Sequence, residues 1–306
     1  MDAYSIMIKN PFEELENGVW LKGNLHSHTR SMPDGKRNFQ EVVDLYAKLG
    51  YGFLMFSDHN KVTSPDAIKY IDSKGLILIP GSEITANGTH ILSVNCTKNI
   101  ESYTDRQRVI EEINANGGFA IIAHPDWGKN YDHVTIKQLQ YWKGYVGLEI
   151  FSGAVSFLNE FGCAYSTRKW DQLLSTDDTD CSNAENGILG FACDDSHDLT
   201  GIGVGWCMVY TTELSVNGIC DALKKGRFYA STGVTITKIS VSNKNIQIET
   251  KDACRIIVFK QNFRRVAVVD GPIIDVQIPE DARFLRFECW GHGERFAWTQ
   301  AFRIFH

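Results

Sequence analysis

At 306 residues, 43% of them hydrophobic and 11% aromatic, the chain has the size and composition of one large or two ordinary core-forming domains, which excludes a disordered protein. A formal net charge of −6 gives no overall basic bias, so long nucleic acid is disfavoured against a small-molecule partner unless local cations or metal ions recruit it. The opening Met1-Asp2-Ala3-Tyr4 is no basic leader and no apolar run approaches spanning length, so a soluble cytoplasmic protein without membrane association is expected.

Apolar runs at 21–25, 53–56, 76–79, 119–123, 146–151, 188–192 and 206–210 predict strands. Helices are predicted between them. Asn38-x-x-Glu41 reads as a capping box opening a helix over 39–49 that Gly50 ends. Ser64-Pro65, Thr104-x-x-Gln107 and Thr135-x-x-Gln138 open three more, and 215–225 forms another before Gly226. Strands apolar at nearly every position and alternating with helices predict a parallel sheet covered on its outside, as a barrel or an open doubly wound sheet. After about residue 233 the pattern changes to period two, through Ile236, Ile239 and Val241 to the run 284–290, which predicts a small antiparallel β domain. The expected division is therefore 1–233 and 234–306. The eight cysteines form no Cys-x-x-Cys pair and read as free thiols of a reducing compartment.

Six of the nine histidines sit in short polar segments that follow apolar runs: Leu25-His26-Ser27-His28, Asp58-His59, Thr89-His90, Ala123-His124-Pro125 and Asp195-Ser196-His197, with Gly81-Ser82-Glu83 adding a carboxylate. Neutral imidazole and carboxylate together suit borderline-hard transition metals, and the set is large enough for more than one ion. In His26-Ser27-His28 an extended chain would point both rings to one face, with Ser27 turned away. Glu83 follows a buried-looking run, where a carboxylate needs a cation or several donors to offset desolvation, and its two oxygens suit a bridge. Glu149, on a further predicted strand, has two readings, orienting a ligand from behind or making a structural ion pair. His133, His292 and His306 read as surface or core residues. Residues of this kind at the ends of many strands suit a barrel whose strand ends converge on one mouth.

The order His-x-His, Asp-Gly, Asp-His, Gly-x-Glu, His, His-Pro, Asp-x-His resembles the polymerase-and-histidinol-phosphatase (PHP) superfamily. Gly23-Asn24-Leu25-His26-Ser27-His28, Ser57-Asp58-His59-Asn60, Ala123-His124-Pro125-Asp126-Trp127, Lys169-Trp170-Asp171, Asp194-Asp195-Ser196-His197, Arg227-Phe228-Tyr229-Ala230-Ser231-Thr232-Gly233 and Ala297-Trp298-Thr299 are similar to its carbaryl-hydrolase-like branch, CehA/McbA. The resemblance implies a distorted seven-stranded (β/α) barrel with two or three divalent ions, manganese, iron or zinc, at its C-terminal mouth. One ion would take His26, His28, Glu83 and Asp195. A second would share Glu83 and take His90 and His124. A third would use His59, His197 and Asp34, although the family places Ser-Asp-Gly here and this chain has Ser31-Met32-Pro33-Asp34-Gly35.

Such a centre would hydrolyse a small phosphate ester, with a nucleotide or short oligonucleotide among the candidates, by hydroxide generated at the metal. His197 or His59 would protonate the leaving oxygen, and Arg30, Arg168, Lys129 and Arg227 are candidates for meeting phosphate oxygens, Arg227 as a catalytic residue. An amide or carbamate ester hydrolase is the alternative on the same ions, and a metal-stabilised binding module without catalysis is the alternative of another class. Oligomeric state is not readable from the sequence.

Overall fold

The computed structural model describes residues 7–13, 17–29, 35, 37–157, 161–176, 187–242 and 244–305; Arg30, Asp34 and His306 lie outside them. The architecture is mixed α/β.

Strands Val19–Asn24, Phe53–Met55 and Ile77–Ile79 run parallel side by side. Helix Phe39–Lys48 makes the first crossover. Asn38 accepts from the Glu41 N–H while the Glu41 carboxylate accepts from the Asn38 N–H, and Val42, Val43 and Tyr46 are its buried face. Gly50 follows with φ 74°, the left-handed conformation that ends a helix at low steric cost. Gly23 is required by packing: a β-carbon there would stand 2.2 Å from the Phe53 ring, so a side chain would displace the strand that leads to His26.

After Pro80 the chain starts a second sheet, in the order Gly81–Ile84, Ile91–Val94, Phe119–Ile122, Tyr145–Ser152, Leu189–Cys193. Its first two pairings are antiparallel and its last two parallel, which corrects the expected all-parallel arrangement. The six residues 85–90 are enough for a reversal and too few for a parallel crossover. The reversal has a functional result. His90 stands at the start of Ile91–Val94, yet it reaches the same rim as His124 at the end of Phe119–Ile122, where the Ala123 N–H donates to the His90 carbonyl at 3.1 Å. The two sheets meet along this rim through isolated parallel bridges, His59 with Glu83 and Ser27 with Ser196.

Trp206–Thr211 turns back antiparallel on Val19–Asn24 and extends the first sheet through Phe228–Ser231, Phe296–Thr299 and Phe284–Trp290 to Phe302–Phe305 and Met7–Lys9. Arg255–Lys260 and Arg264–Asp270 pair off Phe284–Trp290 to complete 11 strands. A separate three-stranded antiparallel sheet, Ile236–Val241, Asn245–Thr250 and Ile273–Gln277, packs Ile246, Ile248, Ile274 and Val276 against Ile256, Val258, Leu285 and Phe287. The period-two segment is thus antiparallel β structure, part of it this separate sheet and the rest continuous with the first sheet through Phe296–Thr299 and Phe228–Ser231. A buried ion pair spans the same junction: the Arg286 guanidinium on Phe284–Trp290 binds both oxygens of Asp171 on helix Thr167–Ser175.

Candidate metal centre

Each strand end on the shared rim delivers a side chain to one point. Asn24 shapes the turn into His26, its Oδ1 accepting from the His26 N–H at 2.8 Å. His28 is then fixed by its N–H to the Ser196 carbonyl at 2.9 Å, and Asp195 by its N–H to the His26 carbonyl at 2.9 Å. Ser27 donates away from the site, to the Met55 carbonyl at 3.2 Å, as the i, i+2 spacing of the two histidines requires. Asp58 faces away as well: its two oxygens accept from the Thr29 N–H and hydroxyl, each at 2.7 Å, and so it anchors the chain after His28. Asn60 ties the His59 turn to the Glu83 strand, accepting from the N–H groups of Thr85 and Ala86 at 3.0 and 3.1 Å. His124 and Asp195 hold φ of 27° and 51°, a left-handed backbone that costs energy in residues with a β-carbon and is often retained at functional sites.

Glu83 is the hub. Its Oε1 lies 3.0 Å from His90 Nδ1 and 3.1 Å from His124 Nε2, while Oε2 lies 3.1 Å from His59 Nε2 and 3.4 Å from His26 Nε2. Asp195 Oδ1 stands 3.2 Å from His26 Nε2 and 3.1 Å from His28 Nε2. Burial alone would raise both acids. The surrounding imidazoles outweigh it, His26 and His90 foremost at Glu83 and His26 and His28 at Asp195, and hold each well below the usual carboxylate range. Conversely, burial pulls His26 down, but Asp195, Glu149 and Glu83 raise it well above an ordinary histidine. His28 is lowered, chiefly by burial.

The donor atoms test whether metal ions fit. Glu149 Oε1 accepts from the Nδ1–H of His26 at 2.8 Å, and Oε2 accepts from the His124 N–H at 2.8 Å. With its proton on Nδ1, neutral His26 turns a lone pair on Nε2 toward two carboxylates, and this buried Nε2 has no hydrogen-bond partner. Lone pairs gathered around one point repel unless a cation lies among them, so the residues fit a divalent ion there. The Nδ1 atoms of His28 and His124 are buried without a hydrogen-bond partner too. Donor atoms within 4.8 Å of one another fall into four groups among the described residues: His26, His28 and Asp195; His26, Glu83 and His124; His28, His59 and His197; and His90, His124 and His133. His197 bonds through Nδ1 to the Asp195 carbonyl at 3.1 Å and stacks on His28 with ring centres 4.2 Å apart.

Expected site residues His26, His28, His59, Glu83, His90, His124, Asp195 and His197 all converge here; Asp34 lies outside the described residues. Of Glu149's two readings, the geometry gives the first. Three expectations are corrected. Arg227 is not brought to the site: its Nε donates to the Pro11 carbonyl at 3.0 Å, and its partner carboxylate is Asp221. It precedes a strand running in the same direction as Val19–Asn24 and stands level with Trp20, six residues and about 20 Å of extended chain before His26. Arg168 lines a 440 Å³ surface cleft with Phe259, Phe263 and Arg286 instead of the rim. His133, read as surface or core, lies inside the cluster, its ring 4.7 Å from that of His90 and 5.0 Å from that of His124. Burial, aided by His124 and His90, pushes it down to about 2. A loop brings it in, so no strand-end signal marked it. Lys169, which the sequence reading did not treat as a site residue, holds that loop: its Nζ donates to the Pro125 and Tyr131 carbonyls at 2.7 and 3.0 Å and pairs with Asp126 at 2.7 Å.

No protein-family profile matches the chain. An uncharacterised protein of Methanocaldococcus jannaschii is 25% identical over 116 residues, covering 34% of this chain and 68% of that protein. A crystal structure from Bacteroides vulgatus, of a two-domain protein containing a predicted PHP-like metal-dependent phosphoesterase, is similar over 100% of this chain and 98% of that one, with a TM-score of 0.56 and 16% identity. What this chain shares with the Bacteroides vulgatus protein, from end to end, is its fold.

Proposed function

We propose that this chain is a metal-dependent phosphoesterase of PHP type, in the CehA/McbA-like branch, acting on a small phosphorylated substrate. The observation that carries the reading is the buried, unpartnered His26 Nε2 facing Glu83 and Asp195, in a rim where five further candidate ligands converge. The two bridges that join the sheets around this rim support a distorted PHP barrel, with residues 1–233 as the hydrolase unit and 234–306 as a β unit packed on it. One ion is assigned to His26, His28, Glu83 and Asp195, and a second to Glu83, His90 and His124. The third is assigned to His59 and His197, with His28 close enough to join them.

Bound divalent ions, manganese, iron or zinc, would acidify water and polarise the ester's electrophilic oxygen. The protein's own part is to hold that chemistry in register. Glu83 would hold both ions, Glu149 fixes the His26 tautomer, and Asp58 and Asn60 set the turns on either side of His59. His197 is oriented by the bond of its Nδ1 to the Asp195 carbonyl; where no ion holds it, His59 is the better placed of the two to deliver a proton, being more exposed at 22% against 14%.

The carbamate or amide reading gains from one observation: among the described residues, Arg227 and Arg168 lie away from the rim, and Lys129 is left as the expected cation on the loop beside it. Purified protein assayed with an aryl phosphate and an aryl carbamate, with and without chelator, separates the two. Chelator-sensitive phosphate release supports the proposal. Carbamate cleavage alone transfers it to the alternative, and inactivity on both with full metal content favours a binding module.

A further inference from the structure

His133 has no part in the assignment above, although it sits against two of the assigned ligands. Its Nε2 accepts the backbone N–H of His90 at 2.9 Å. An imidazole nitrogen that accepts has no proton, so the neutral ring carries its hydrogen on Nδ1. With one nitrogen engaged and the other protonated, His133 has no free lone pair to give an ion. The trio His90, His124 and His133 is therefore not a three-imidazole metal site, close as the rings are.

The contact instead completes the fixing of His90. The His90 carbonyl is held by the Ala123 N–H at 3.1 Å, its amide by His133, and its side chain by Nδ1 to Glu83 Oε1 at 3.0 Å. His133 is itself anchored at both backbone ends. Its N–H donates to the Trp127 carbonyl at 3.0 Å, and its carbonyl accepts from the Thr89 hydroxyl at 3.1 Å. Trp127 closes the packing, its ring centre 5.3 Å from those of His90 and His124 and 5.0 Å from that of His133. Loop 125–133 thus braces the start of the Ile91–Val94 strand from outside.

We propose that His133 is a positioning residue: it holds the His90 backbone so that the imidazole meets Glu83 at the second ion, and it does not bind the ion itself. This rests on the metal-centre reading. The effect of such outer partners on metal affinity is roughly 10- to 100-fold, and here it falls on one ion of the set.

The test pairs His133→Phe, which keeps a ring and removes the acceptor, with His133→Gln, whose amide oxygen can accept the same N–H. Manganese and zinc titrations of the metal-free chains are read by stoichiometry and affinity. The expected result is full wild-type stoichiometry, one ion weakened roughly 10- to 100-fold in His133→Phe, and most of that loss restored in His133→Gln. With substrate, kcat falls in His133→Phe while KM changes little. In the metal-free wild type, nitrogen-15 spectra place the His133 proton on Nδ1.

Wild-type affinity for every ion in His133→Phe overturns the positioning role alone, as does a His133 proton found on Nε2. Failure of His133→Gln to bind better than His133→Phe does so too. A wild-type chain that takes up no ion overturns the metal-centre reading and this inference with it. Should His133→Phe not fold, the wild-type tautomer and the His133→Gln titration decide the question.

Discussion

Glu83 concentrates the chemistry of the site in two oxygens. It meets His26, His59, His90 and His124 while almost wholly buried, so its charge is the counterweight that allows four imidazoles to share one cavity. Glu83→Gln keeps the shape and removes the charge; we expect loss of at least one ion per chain by elemental analysis and a fall in turnover of about 100-fold or more, since an interaction essential to the centre is deleted. Glu149→Gln should be milder, weakening metal roughly 10- to 100-fold by releasing the His26 tautomer, as a competitive chelator titration would read. The raised His26 sets a sign for pH. Against the pull of burial, Asp195, Glu149 and Glu83 favour its protonated form, and a proton on Nε2 competes with an incoming ion, so apparent affinity should fall as pH falls. Calorimetry in buffers of different ionisation enthalpy would register the release, and an uptake of protons would contradict the assignment. Most of these residues were legible in the sequence because they lie in or just after an apolar run; His90 instead stands just before one, and His133 lies in a loop with only Asp132 beside it.

Secondary structure shows where a sequence speaks and where it is silent. The capping boxes at Asn38 and Thr135 were readable because both partners lie within four residues, and both are present in the fold. At 104–107 the pattern pointed to Thr104, but Asp105 caps the helix by accepting from the Gln107 N–H. Ile91–Val94 was not read as a strand, so the short connection 85–90 that makes its pairing antiparallel went unused. The direction of the strand that follows Arg227 is a relation between distant segments and leaves no local mark, so the misplacement of Arg227 was not legible. Loop 125–133 gives a test at this scale. Lys169→Met would leave the Asp126 carboxylate and two carbonyls without their shared donor, at a cost of about 1–3 kcal/mol in urea denaturation. It should also speed hydrogen exchange at 126–133 ahead of the rest of the chain; unchanged exchange there would show the loop to be held by other contacts.

For the whole molecule, the ion pair of Arg286 with Asp171 ties helix Thr167–Ser175 to the C-terminal β structure. Both side chains are buried, Arg286 at 1% exposure and Asp171 at 4%, so removing one partner strands the other. Arg286→Met should destabilise by about 3–5 kcal/mol, and Arg286→Met with Asp171→Leu should recover much of it, since an apolar pair of similar volume can replace a buried ionic one. Denaturant midpoints of the three variants would check this, and equal losses in the single and double variants would refute it.

The unbroken ladder through Phe228–Ser231 has its own consequence for anyone shortening this protein. Cutting the chain at 233 would strip Phe296–Thr299 from its neighbour and leave Tyr229, Ala230 and Ser231 offering bare amides along a rim ready to recruit any passing strand. The histidines and carboxylates of the site would all survive such a cut, but the fragment would be prone to self-association, because the last seventy-odd residues supply the strand that covers this edge.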